Sequence, residues 1–143
     1  MIKISKNFSL EELCRSTTAA AKKMRNEPGK EEIVNLTHLA LHILQPLRDV
    51  IGEPIPISSG YRSPALNKLV GGVTNSQHVT GQAADIAIGG NMTKGKQWFN
   101  YIKNNLPFDQ LIWEHNEQGV YWIHVSYNKE GNRKQIIDNL LKR

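Results

Sequence analysis

Three side chains of the types that bind zinc lie in two short stretches of the sequence. His78 and Asp85 belong to the stretch 76–86, and His124 lies in the strand-like run 120–127. Two neutral imidazole nitrogens and one carboxylate are a ligand set that a catalytic zinc ion uses while its fourth position stays free for water. The sequence therefore predicts a metallohydrolase with Zn²⁺ as its cofactor.

Both stretches have strand character, and alternation along a strand decides what surrounds each donor. His124 shares a strand face with Trp122 and Ser126, while the residues between them form an apolar face that would pack. Asp85 alternates with two alanines, whose small side chains leave space for an ion and a substrate. Each donor is thus expected on a polar face at the edge of a core.

The elements that must position these donors form an α+β pattern. A single domain over 1–143 is predicted, with a small, mostly antiparallel sheet flanked by helices, because the strands cluster with short connections. Helices are predicted from Ser9, over about 30–50, from Thr93 to about 106 and, as an amphipathic C-terminal helix, over 133–143; strands are predicted over 54–59, 83–88, 110–114 and 120–127.

Composition and charge limit the classes of protein that fit. A chain of 143 residues, 39% of them hydrophobic, can bury one core. Its first residues lack the apolar stretch of a secretory signal and no later run reaches the length of a membrane span, so we expect synthesis in the cytoplasm without a signal peptide and no membrane insertion. The net charge of +5 favours anionic partners. No basic stripe is interleaved with aromatics, so we expect no nucleic-acid partner, and we expect a monomer.

Several motifs follow one another in an order that resembles a known family. They are the run 58–63, Asn67, Gly71-Gly72, Ser76-x-His78-x-x-Gly81-x-Ala83-x-Asp85-Ile86 and Trp122-x-His124-x-Ser126. This order resembles the D-alanyl-D-alanine carboxypeptidase group of zinc peptidases, which includes phage endolysins and shares its metal-site fold with lysostaphin-type enzymes and the hedgehog signalling domain. The resemblance spans approximately 8–127, and the histidine-glycine-aspartate spacing is fairly specific when a strand histidine follows.

The resemblance implies roles for individual residues. His78, Asp85 and His124 would be the zinc ligands, and Arg62 would act in catalysis and binding by holding a carbonyl or carboxylate oxygen of the substrate. Ser76 looks like the family's substrate-contacting serine, although a serine there can equally cap the loop backbone before His78. Further substrate contacts are expected at Tyr61, Trp122 and Ser126.

The general base is where this sequence departs from better-known members of the group. Those place a histidine two residues, or a glutamate three residues, before the final zinc histidine, where this chain has Trp122 and Tyr121. Neither of these can act as a base at neutral pH. In the resembling phage-type branch, the run 108–114 ends in a carboxylate, here Glu114, that matches the expected base.

The register of the predicted hairpin decides whether Glu114 can serve. If Glu114 pairs with Val120, its side chain projects towards the His124 face, because cross-strand partners share a face. If His115 pairs with Val120, His115 takes that place and Glu114 turns away, because a one-residue slip reverses the face. The sequence leaves the register open, and we expect Glu114 from the resemblance.

The resemblance implies a zinc-dependent peptidase that cleaves peptidoglycan stem peptides at a bond next to a D-amino acid, through zinc-activated water. Its site of action would be the bacterial cell wall. Carboxypeptidase, dipeptidase and endopeptidase action all stay open, since the choice depends on whether the cleft is closed at one end. The alternative is a catalytically inactive, zinc-containing module that only binds peptidoglycan, because positions 121 and 122 lack a base.

A second pair of histidines, His38 and His42, lies four residues apart in the predicted long helix. This spacing can chelate a metal ion, but the pair has no glutamate between its members, as a helical zinc-protease motif would have. We interpret the pair as part of a solvated helix face.

Overall fold

The structure is a computed structural model that describes residues 1–140, and its central feature is a five-stranded sheet in the order β1-β2-β4-β3-β5. The neighbours are antiparallel except β3 and β5, which run parallel. The α+β class with a mostly antiparallel sheet is therefore confirmed. The strands are β1 (Ile57–Ser59), β2 (Ala83–Ala87), β3 (Gln110–His115), β4 (Tyr121–Ser126) and β5 (Gln135–Asp138).

Six α-helices accompany the sheet within residues 1–140. Ser9 caps the first helix as predicted, because its hydroxyl accepts from the Glu12 amide at 3.1 Å. Asn91 rather than Thr93 caps the last helix, since its side chain accepts from the Lys94 amide at 3.0 Å. The helices are α1 (Leu10–Cys14), α2 (Thr17–Ala21), α3 (Lys30–Leu39), α4 (Gln45–Ile51), α5 (Pro64–Leu69) and α6 (Met92–Asn105).

The predicted long helix over 30–50 exists, but it is interrupted. A π-helical turn, Ala40–Leu44, joins α3 to α4. Pro46 explains the interruption, because it has no amide to donate and its ring would clash with the carbonyl four residues earlier. A widened turn just before the proline relieves that clash without ending the helix.

One face of the sheet packs against the helices, and the opposite face is left for polar residues. The core combines the long α3–α4 helix, α6 and the inward side chains of three strands. The predicted apolar faces of β2 and β4 are confirmed. Core members from the sheet are Ala84, Ile86, Leu111, Trp113, Ile123 and Val125.

The predicted C-terminal helix over 133–143 is wrong over Gln135–Asp138, which forms the edge strand β5. The four apolar residues within 133–143 fit a helical stripe. Two of them, Ile136 and Ile137, are adjacent isoleucines, which favour a strand. Pairing with β3 also satisfies backbone groups that would otherwise stand unpaired at the sheet edge. Residues 141–143 of the predicted helix lie outside the described residues.

No helix within residues 1–140 combines the length and apolar character needed to cross a bilayer.

Candidate metal centre

The three predicted metal ligands meet in space. Strands β2 and β4 are antiparallel neighbours, and their register sets Asp85 directly opposite His124. His124 Nδ1 lies 3.0 Å from Asp85 Oδ1, and His78 Nε2 lies 3.3 Å from the same oxygen. All three residues are buried, and one donor atom from each lies within 4.8 Å of the others. Within residues 1–140, no other group of three such donors has this spacing.

His78 is held in one orientation by the backbone of Gly60. Its Nδ1 lies 2.7 Å from the Gly60 carbonyl oxygen, which can only accept a hydrogen bond. Nδ1 therefore donates to this carbonyl, and Nε2 is the ring nitrogen that faces Asp85. Gly60 itself lies so close to Leu13 that a Cβ atom would overlap the Leu13 carbonyl oxygen. The close contact with Leu13 thus holds the Gly60 carbonyl within hydrogen-bond distance of His78 Nδ1.

Asp85 stays ionised despite its burial. Burial alone would raise the pKa of its carboxyl group, but the charges of His78 and His124 and their hydrogen bonds outweigh burial and hold that pKa well below its usual range. The Arg62 guanidinium is more distant, with Nη2 3.9 Å from Asp85 Oδ2. At neutral pH the site therefore offers an anionic oxygen beside two imidazoles.

This donor set fits zinc. Two imidazole nitrogens and one carboxylate oxygen match a catalytic zinc site that keeps an open coordination position. The hydrogen bond from His78 to a backbone carbonyl is the kind of outer contact that orients metal-ligating histidines. The site also opens to space for a substrate, because all three residues line a cleft of about 820 Å³.

Arg62 reaches the same cleft and is held from two sides. Its Nε donates to Ser59 Oγ at 3.3 Å, and its Nη1 donates to Asn67 Oδ1 at 2.9 Å. Gly72 allows this arrangement, since a Cβ atom there would overlap the Asn67 side chain and crowd Arg62 Nη1. The Gly71-Gly72 pair of the motif thus lets the backbone approach Asn67 and Arg62 closely.

The hairpin register turns Glu114 towards the face of the predicted metal ligands. Glu114 pairs with Trp122, so both share the strand face that carries His124. The pairing differs by two residues from the expected partner Val120, and a two-residue shift preserves the face. Glu114 lines the cleft, whereas His115 pairs with Tyr121 and packs against its ring at 5.1 Å.

The other predicted substrate contacts differ in how they lie relative to the cleft. Ser76 lines the cleft, and its hydroxyl also accepts from the His78 amide at 3.2 Å, as the capping alternative proposed. Trp122 lines the cleft too, and its buried indole nitrogen has no hydrogen-bond partner within residues 1–140. Tyr61 reaches the cleft wall but is only 5% exposed and belongs mainly to the core.

Ser126 does not reach the cleft. It is fully buried at 0% exposure, and its hydroxyl accepts from the Gln110 amide at 2.9 Å. This bond ties the end of β4 to the start of β3. Ser126 thus lies beneath the cleft rather than in its lining, because strand alternation gives the face of a side chain but not the depth of cover above it.

Arg133 also lines the cleft, although no motif in the sequence indicates it. It falls in the predicted helix over 133–143, which the structure replaces by β5 over Gln135–Asp138. Arg133 instead forms an ion pair with the buried Asp109. Asp109 was visible in the sequence only as one residue of the run 108–114.

The second histidine pair lies apart from this cleft. The rings of His38 and His42 stack with centroids 5.6 Å apart, and His42 stacks on Tyr127 at 4.6 Å. His42 is exposed, as the solvated interpretation requires, but His38 is half-buried and its Nδ1 has no partner within residues 1–140. Within residues 1–140, no carboxylate joins the pair at metal-binding distance.

Comparison with known proteins agrees with the geometry of the cleft. A family model described as Peptidase M15 matches residues 6–126. The zinc D-Ala-D-Ala carboxypeptidase of Streptomyces albus G is 45% identical over 47 residues, which are 32% of this chain and only 18% of that protein. The family match includes every predicted metal ligand. The chain therefore belongs to the peptidase M15 family, and the expectation of a zinc metallopeptidase is confirmed at the level of that family.

Proposed function

We propose that this chain hydrolyses peptidoglycan stem peptides at a bond next to a D-amino acid. His78, Asp85 and His124 bind the zinc ion, Glu114 is the general base, and Arg62 holds an oxygen of the substrate. The observation that carries the proposal is the convergence of two histidines and one aspartate in a cleft that Glu114 also lines. The enzyme acts on the bacterial cell wall.

A bound zinc ion would supply Lewis acidity towards the substrate carbonyl and a coordinated water with a pKa of about 7. The protein supplies the rest. Glu114 accepts the proton of the attacking water and returns it to the amine of the leaving residue, as a general base and then a general acid. Glu114 is separated from the His124 row by two residues along the strand, roughly 7 Å, which its side chain and one water can span.

Arg62 supplies a preorganised positive charge on the opposite side of the donors from Glu114. Its bonds to Ser59 and Asn67 fix the guanidinium before substrate arrives. Charge that develops on the carbonyl oxygen during attack is then met by donors that need no reorientation. Ser76 and Trp122 border the space where the peptide lies.

The substrate class is supported by the Streptomyces albus G relative, whose name specifies a D-Ala-D-Ala bond. The aligned segment covers a small part of that protein, so the substrate is proposed for this chain rather than transferred. The alternative, a module that binds peptidoglycan without cleaving it, was motivated by the absence of a base at positions 121 and 122. Glu114 on the cleft face favours hydrolysis over that alternative.

The test is a mass-spectrometric digest of defined muropeptides by the zinc-loaded protein. We expect products cut next to a D-amino acid, and we expect Glu114→Gln to lower kcat by about 10³-fold or more while zinc content stays at that of the wild type. His115→Gln is the matched control, since His115 neighbours Glu114 but packs on Tyr121. Normal turnover by Glu114→Gln would remove Glu114 as the base, and binding of muropeptides without any cleavage would establish the alternative.

A further inference from the structure

The segment that leads into strand β5 adds Arg133 to the lining of the cleft, beyond the family match at residues 6–126. β5 pairs with β3 from Gln110↔Gln135 onwards, and the Gln135 amide donates to the Asp109 carbonyl at 2.9 Å. This register brings Arg133, two residues before β5 begins to pair, beside Asp109. The Arg133 side chain is 58% exposed and borders the same cleft as the metal donors.

Asp109 fixes the position of Arg133. Asp109 is 2% exposed, and its Oδ1 accepts from the Arg133 amide at 2.8 Å and from Arg133 Nε at 3.0 Å. Its Oδ2 accepts from Arg133 Nη2 at 2.9 Å and from Gln77 Nε2 at 2.8 Å. One edge of the guanidinium is thus committed to a buried carboxylate. Within residues 1–140, no acceptor engages Nη1, which leaves donors for a ligand in the cleft.

The strand register places Arg133 on the other side of the metal donors from Glu114. Ile112 pairs with His124, Glu114 lies two residues further along β3, and Gln110, next to Arg133, lies two residues back. Two residues of a strand span roughly 7 Å. A peptide running along β3 therefore passes Arg133 about two or three residues from the bond that faces the metal donors.

The charges of the cleft suit an anionic ligand. Its lining includes the guanidinium groups of Arg15, Arg62 and Arg133 against the carboxylates of Asp85 and Glu114. The three cations outnumber the two anions even before the proposed metal ion would offset Asp85. The remaining balance is positive, and planar guanidinium groups recognise carboxylates through paired hydrogen bonds.

We infer that Arg133 is a specificity-determining residue that binds a carboxylate of the peptide substrate, and that Asp109 is its positioning residue. The inference rests on the proposed function, because it needs a peptide lying in the metal cleft. The carboxylate is either the C-terminal α-carboxylate or an acidic side chain about two or three residues from the cleaved bond. Both sources present the same chemistry to the guanidinium.

The test compares synthetic stem peptides that differ only in one carboxylate. One arm replaces the α-carboxylate by a carboxamide, and the other replaces the acidic side chain by its amide. For wild type we expect kcat/KM to fall about tenfold in one arm, mainly through KM, which is the size of effect typical of one charge-assisted contact. The arm that falls identifies the source of the carboxylate. Equal kcat/KM for all three peptides would overturn the inference.

Substitutions at Arg133 test whether this residue causes the tenfold ratio of kcat/KM between acid and amide peptides. In Arg133→Gln the ratio of acid to amide peptide should fall to about one, whereas Lys129→Gln, an equal loss of charge at an exposed position, should keep it. Arg133→Lys retains a cation beside Asp109 but lacks the planar fork, so it should fold normally and lose most of the ratio. If Arg133→Gln does not fold, Arg133→Lys decides the matter. An unchanged ratio in the folded variant would overturn the inference.

Failure of the proposed function is distinguishable from failure of this inference. If no peptide is cleaved, the same acid and amide peptides are titrated into the zinc-loaded protein by calorimetry. A Kd about tenfold lower for the acid peptide, lost in Arg133→Lys, supports carboxylate binding without hydrolysis. Equal Kd values for acid and amide peptides overturn the role of Arg133 whatever the activity.

Discussion

Two buried aspartates in this protein have lowered pKa values but different surroundings. Asp109 is 2% exposed and already has a cation, because Arg133 donates to both of its oxygens. Asp85 is 7% exposed and is surrounded mainly by imidazole nitrogens, with the nearest guanidinium nitrogen at 3.9 Å. A buried carboxylate is costly unless its charge is compensated. Asp109 thus has its cation from the chain itself, whereas Asp85 lies among side chains that could hold a metal ion.

The largest effect on zinc affinity is expected from substitution of Asp85. Replacing Asp85 by Asn should lower zinc affinity by at least about 10³-fold, because an amide oxygen is a far weaker zinc ligand than a carboxylate. Asp109→Asn, the matched change in the other region, should leave zinc affinity within about threefold of wild type, since it removes no ligand. Competition with a fluorescent zinc chelator measures both. Comparable losses in the two variants would mean that the two aspartates do not differ as we describe.

A smaller effect is expected from the outer contact of His78. In Gly60→Ala the new methyl group overlaps the Leu13 carbonyl oxygen, so the Gly60 carbonyl must move away from His78 Nδ1. Loss of such an outer partner typically costs about 10–100-fold in metal affinity. The same displacement should lower the free energy of unfolding by about 1–3 kcal/mol, as in other overpacked sites.

Zinc titration and denaturant unfolding of Gly60→Ala measure the two quantities on one sample. Gly89→Ala is the control for the substitution itself, because a Cβ atom there meets nothing within 4 Å although the backbone has φ +60°. Gly89→Ala should therefore lose stability without losing zinc affinity. Wild-type zinc affinity in Gly60→Ala would show that the backbone contact does not orient His78.

The smallest expected effect is on the free energy of unfolding in acid, to which the ionised Asp109 contributes. Hydrogen bonds from Arg133 lower the pKa of Asp109 from an ordinary 3.8 to about 2. A lowered folded-state pKa contributes stability that is present above about pH 4 and is lost as the pH falls towards 2. Because the Arg133 side chain is largely exposed to solvent, we expect the contribution to be about 1–2 kcal/mol rather than more.

Urea unfolding of wild type and Asp109→Asn at pH 7, 4 and 2.5 measures this contribution. The wild type should be the more stable at pH 7, and the difference between the two proteins should shrink as the pH falls below 4. Zinc release in acid affects both proteins, so it cancels in the difference. A difference independent of pH would show that the ion pair contributes no proton-linked stability.

The prediction from sequence succeeded where short-range patterns carry the information. Strand alternation alone gave the faces of Asp85 and His124, and the chain order of the motifs gave the family. The hairpin register could not be deduced, because Glu114 and His115 are both compatible with the same two strands until their pairing is known. The structure decided that point by setting Glu114 opposite Trp122.

The failures came from contacts between distant parts of the chain. The predicted helix over 133–143 has apolar spacing that suits a helix, and pairing with the open edge of β3 makes residues 135–138 a strand. Arg133 was missed for the same reason, since its partner Asp109 lies 24 residues earlier. The burial of Ser126 could not be predicted either, because its hydroxyl bonds to the Gln110 amide, a contact that alternation cannot reveal. In each case the deciding contact is made with a residue that is distant in the sequence.

The most direct test of the account is X-ray absorption spectroscopy of the wild-type protein loaded with one equivalent of zinc. The account predicts a tetrahedral shell with two imidazole nitrogens at about 2.0–2.1 Å, one carboxylate oxygen and one water oxygen, and no sulfur. The imidazole signal should fall to one ring in His124→Ala and stay at two in His42→Ala. A shell containing sulfur from Cys14, or two imidazoles that persist in His124→Ala, would contradict the assignment of His78, Asp85 and His124 as the metal ligands.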